Sequence, residues 1–117
     1  MASTYSTVLR LELQANGEND ATWGTKNNAV INMLEASITG RAAVTHGDTA
    51  NYTLTTVNGT ADEARQMILN IGGALTAARN TVCPTANKFY VAKNATTGGF
   101  ATTLKTTAGT GIAIPNG

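Results

Sequence analysis

The sequence predicts an α+β chain that is mostly β. It has an N-terminal strand and one helix, followed by a β-sandwich-like module of short antiparallel strands, and a trimer is the expected assembly. Three observations carry this. Residues 26–39 place apolar side chains at helical spacing. After Gly40 the chain breaks into short β-branched and aromatic stretches separated by turn residues. Bulky apolar side chains are scarce: hydrophobic residues reach 42% of 117, but aromatics only 5%. A buried large side chain contributes roughly 1.5–3 kcal/mol, so a lone copy reads as marginal and neighbours are expected to complete it.

Residues 1–7 are small and polar, an extended arm. In "VLRLEL" (8–13), Leu9, Leu11 and Leu13 alternate with Val8, Arg10 and Glu12, which reads as a strand buried on its leucine face. "QANGEND" follows as a turn, with Asn16-Gly17 supplying left-handed positions. The helix carries Val30, Met33, Leu34 and Ile38, with Thr25 as its N-cap and Gly40 as its C-terminal stop. Its apolar face suits either packing on the β module or association around an axis. Trp23 stands just ahead of the helix among polar neighbours. It reads either as a lid over the core or as an anchor in a neighbouring subunit, where tryptophan is enriched.

Gly40 divides the chain into an arm, strand and helix (1–40) and a threonine-rich β module (41–117). The module's strand candidates run from "AAVTH" to "GIAI", punctuated by Gly47, Asn58-Gly59, Gly72-Gly73, Pro84, Gly98-Gly99, Gly109 and Gly111. Threonine dominates the polar half because its branched Cβ suits a pleated surface. "TADEAR" (60–65) reads as a helical turn, with Asp62 or Glu63 near Arg65. Phe100, Thr102 and Leu104 share one face by alternation. The final Asn116-Gly117 is a hairpin signal with no strand after it, so pairing from another copy or a continuing chain is expected.

Composition narrows the function classes. Charged residues are 13% and the net charge is +1. The cations are scattered, whereas nucleic acid or an anionic membrane needs a cationic face. No apolar run reaches the 18 or so residues of a membrane span, and no secretory signal is read at the N-terminus. The chain is expected in a cytoplasm, or assembled into a particle there. Cys83 is the single cysteine, read as a small buried residue beside Pro84 with no cation to activate it.

No catalytic or cofactor constellation is read. His46, in "THGDT", is expected at the surface. Asn16, Glu18, Asn19 and Asp20 lack the spacing of a calcium loop. "AGTGIAI" lacks the third glycine and the helix of a dinucleotide loop. No metal ligand set or cofactor is predicted.

"LRLEL", "NGEND" and "TWGTKNN", then "ANYTLT", "NGTADEARQMILNIGGALTAARNTVCP" and "VAKNATTGGFATTLKTTAGTGIAIPNG", together resemble the N-terminal part of tail-fibre-like virion proteins of tailed bacteriophages. The likeness spans nearly all 117 residues. It is strongest at Thr22-Trp23-Gly24-Thr25, Asp62-Glu63-Ala64-Arg65 and Asn94-Ala95-Thr96-Thr97-Gly98-Gly99. It implies a non-enzymatic, homotrimeric structural protein of the virion, assembled in the bacterial host cytoplasm. Its N-terminal part would fasten to a tail adaptor or the tail tube. The residues expected to dock on partners are Leu9, Leu11, Trp23, Val30, Met33, Leu34 and Ile38. A capsid-decoration or head-fibre protein is the alternative. A carbohydrate-binding module with Tyr52, Tyr90 and Phe100 as a stacking platform is the second.

Overall fold

The computed structural model describes residues 2–117, so Met1 of the expected arm lies outside them. The chain is α+β and mostly sheet: β1 (Thr4–Tyr5), β2 (Glu12–Leu13), α1 (Trp23–Thr39), β3 (Arg41–Thr45), β4 (Tyr52–Thr53), a 3₁₀ turn (Glu63–Arg65), β5 (Ile68–Gly72), β6 (Arg79–Val82), β7 (Val91–Asn94), β8 (Thr102–Lys105) and β9 (Ile112–Ile114).

The module is a stack of coils. One sheet has the order β3-β5-β7 and the other β4-β6-β8-β9. All neighbours in both are parallel except β8 and β9. Each strand of the first sheet thus continues round a corner into the second, and the next coil begins beside the first. The expected antiparallel, sandwich-like pairing is corrected. Alternation marks which side chains face inward but is the same for either direction of pairing. The glycine-rich breaks read as hairpins are mostly corners. The one hairpin in the module joins β8 to β9, with Gly111 at φ +81°.

The inward positions stack in columns. Ala42 pairs with Leu69 and Leu69 with Ala92, while Val44 pairs with Ile71 and Ile71 with Asn94. Ala42, Val44, Leu54, Ala64, Leu69 and Ile71 form the buried core, flanked by Tyr52, Cys83, Tyr90, Leu104 and Ile114. Cys83 is half-buried as expected of a packing residue, and its thiol donates to the Lys105 carbonyl at 3.3 Å. The coils step by 23 residues from second to third, both at 68 to 91 and at 79 to 102. The first step, 41 to 68, is longer, and the added residues carry the 3₁₀ turn, where Asp62 meets Arg65 as "TADEAR" suggested.

Corners demand close approach. Gly73 sits at φ +112°, and a Cβ there would lie 2.5 Å from the His46 carbonyl oxygen. Gly98, at φ +107°, would meet the Leu75 carbonyl in the same way.

Residues 8–13 do not form the expected strand. Arg10 turns into the left-handed region at φ +55°, leaving only the two-residue ladder β1–β2. Tertiary bonds impose this turn. The Arg10 guanidinium donates to Asn58 Oδ1 at 2.8 Å and the Thr56 carbonyl at 3.3 Å, and its own carbonyl accepts from Gly59 N–H at 2.9 Å. Helix α1 starts earlier than read. Trp23 is its first residue, Thr22 takes the N-cap position without a side-chain bond, and Thr25 lies inside. Gly40 ends it at φ −73°. Glycine is required there because a Cβ would strike the Ala36 carbonyl and Gln66.

The whole is elongated, 53 × 24 × 23 Å, with a radius of gyration of 16.4 Å. A compact domain of this length has about 13 Å.

Candidate functional site

The structure divides the expected docking residues. Leu11 and Met33 are buried, at 8% and 5% exposure, and belong to the interior rather than to a docking face. Leu9 and Val30 are half-buried. Trp23 (63%), Leu34 (40%) and Ile38 (65%) stand in solvent. The reading of Trp23 as a core lid is therefore overturned.

These positions separate because α1 carries two apolar faces. At about 100° per residue, Ala29, Met33 and Ala36 point one way. They line an open groove of about 390 Å³ against Gly59–Ala61, Arg65 and Gln66. Trp23, Ile31, Leu34 and Ile38 lie on a second stripe roughly 150° away. Ile31, 53% exposed, was missed in the sequence. Its signal was the three-residue step to Leu34. Met33 is the one buried residue of the seventeen in α1.

The stripe continues onto the module. Ile38 shares a second groove, about 430 Å³, with Val8, Leu9, Met67 and Phe89. Phe89 is 69% exposed. Its loop is held by Lys88, whose ammonium donates to the Gln66 carbonyl at 3.0 Å and sits 4.4 Å from the Tyr90 ring centroid. Burial pulls the Lys88 pKa down. A monomer rarely leaves so much connected apolar surface open without a partner.

From α1, Lys26 pairs with Glu12 at 3.6 Å. The Asn19 amide donates to Glu12 at 2.9 Å and is the main cause of that carboxylate's lowered pKa. Asn19 is thus already engaged. Among the described residues no group of three or more His, Cys, Asp or Glu could hold a metal.

His46 is buried, 4% exposed, contrary to the surface turn expected. Its Nε2 lies 2.8 Å from the Thr81 hydroxyl, which continues 3.0 Å to Thr102. Its ring tilts against Tyr52 at 5.7 Å, and Nδ1 has no partner. Burial, then the nearby Arg79, lower its pKa. The unfolded chain takes up a proton near pH 6.5 that the folded chain refuses. Stability is therefore full above that pH and falls as the pH drops below it. A melting series from pH 7.5 to 5 should show this decline, and His46→Gln should flatten it. The carboxylates Glu12 and Asp48, whose pKa values are lowered, add a separate loss at lower pH.

The stacking platform is not assembled. Tyr52 donates to Glu63 at 3.0 Å and Tyr90 to the Ala64 carbonyl at 2.6 Å. Both rings pack on the core, and burial raises the Tyr90 pKa to about 12. Phe100, read on one face with Thr102 and Leu104, lies outside β8 and is 36% exposed, while Thr102 within β8 is fully buried.

No protein-family model, curated protein or solved structure matches the chain.

Proposed function

We propose that this chain is a structural module of a tailed-phage virion, the N-terminal part of a tail fibre that fastens it to the tail. In this reading it assembles as a homotrimer, contacts a tail adaptor or tail tube protein, and works by binding rather than catalysis. The observation that carries the reading is the exposed apolar stripe of α1 on an elongated stack of coils. Stacked coils transmit load along one axis because each contacts its neighbours directly. The open stripe offers the surface through which copies or an adaptor would join. The sequence resemblance adds the virion context.

The test is location. Specific antibody against the chain, applied to virions and viewed by electron microscopy, should decorate the tail or its base. Decoration of the head would transfer the module to capsid fibres, and an unlabelled particle would end the virion reading.

A further inference from the structure

The exposed stripe of α1 has more order than a patch of stray apolar residues. Asn27, Ile31, Leu34 and Ile38 follow one another at steps of four, three and four. Those are the steps of a coiled-coil seam, with Ile31 and Ile38 at a, Asn27 and Leu34 at d. Trp23 sits at the flanking g position. All five residues are exposed, so nothing among the described residues fills the holes between these knobs. Among the described residues α1 is the one α-helix, so a helix to meet the seam comes from outside them.

The geometry points to α1 of further copies of this chain, packed parallel and in register, as the occupant. Three observations select it. The seam carries no charged residue, so identical faces meet without repulsion. Asn27 is the one polar residue in the seam, and a carboxamide both donates and accepts, so it is satisfied by the same side chain of another copy. A staggered packing would bury Asn27 against apolar side chains, so its pairing with its own like sets the register. Lastly, the area is adequate. Trp23, Ile31, Leu34, Ile38, Val8 and Phe89 leave on the order of 600 Å² open, against about 800 Å² per partner in a standard stable interface. Isoleucine at a with leucine at d favours two helices. Trp23 broadens the apolar face beyond the a/d seam, as a third helix requires.

The register also explains how thinly α1 is held. With Met33 alone buried, the helix has little tertiary support. A short helix in water is marginal without it. Packing against like helices supplies the missing burial.

This deepens the self-assembly part of the fibre reading and rests on it, while its test is independent of where the protein sits in a particle. In a Cys83→Ser background, Asn27→Cys should oxidise to a disulfide-linked pair of chains, because like residues face each other across a parallel seam. Asn32→Cys, on the far side of the helix, should remain uncrosslinked. In light scattering the parent chain should have the mass of three chains and Leu34→Asp/Ile38→Asp that of one. Its sheet signal in circular dichroism should persist while its helical signal weakens, since α1 loses the packing that supports it. A monomeric parent overturns the proposal. So does an assembly in which Asn27→Cys fails to crosslink or Asn32→Cys crosslinks equally well. Labelled tails together with a failed crosslink would retain the fibre and remove the seam.

Discussion

Arg65→Met should be the most damaging single change outside the hydrophobic core. The Arg65 side chain is 3% exposed and pairs with Asp62, itself 6% exposed, at 2.9 Å. Its Nε donates to the Leu9 carbonyl at 2.6 Å, and its two terminal nitrogens reach the carbonyls of Arg10, Val57 and Thr60. One guanidinium thus clamps the N-terminal segment onto the first coil. Methionine keeps the bulk but strands those acceptors and a buried carboxylate. Removing one partner of a buried pair costs about 3–5 kcal/mol. The melting temperature should fall by on the order of 15 °C. Hydrogen exchange should show faster exchange at Gly59, whose N–H is bonded to the Arg10 carbonyl. Arg65→Lys keeps the charge but not the fork, and should fall between the two. A drop of a degree or two in the methionine variant would show that the clamp contributes little.

Asn94→Ala should come second. Asn94 occupies the column of Val44 and Ile71 in the last coil, 1% exposed. Its amide nitrogen donates to the carbonyls of Phe100 at 3.1 Å and Ile114 at 2.9 Å. Its oxygen accepts from Thr96 N–H at 3.1 Å and the Thr96 hydroxyl at 2.6 Å. All four capacities of the amide are met. Alanine leaves buried partners unpaired at roughly 1–3 kcal/mol each, reduced where water enters, so about 3 kcal/mol in sum. The loss should be local first: β9 should exchange its amides and admit protease before the first two coils unfold. Asn94→Asp should be as severe, since a carboxylate cannot donate to the two carbonyls. Loss of protection spread evenly over all coils would show that Asn94 does not act as the latch of the last one.

Much of this was legible in the residues, and the failures have causes. The helix announced itself through Val30, Met33, Leu34 and Ile38, although the structure assigns Met33 to one face and Leu34 and Ile38 to another. The pattern of short β-branched stretches after Gly40 located strands such as β3, read as "AAVTH". It could not tell a parallel coil from a hairpin. The repeat was hidden because the first step is longer than the second and stacked positions share character rather than identity, as in Val44, Ile71 and Asn94. His46 looked like a turn residue because the groups that bury it, Tyr52 and Thr81, lie far along the chain. Arg10 broke a well-patterned strand for the same reason. Its partners are near residue 58, and no local rule anticipates them.

The equal advance of both sheets from the second coil to the third implies a body whose length is set by counting. Parallel strands lie about 4.8 Å apart, so duplicating residues 68–90 in place would lengthen the shaft by that increment while preserving the contacts at either end. Evolution could tune reach in such units without redesigning the helix or the closing strand.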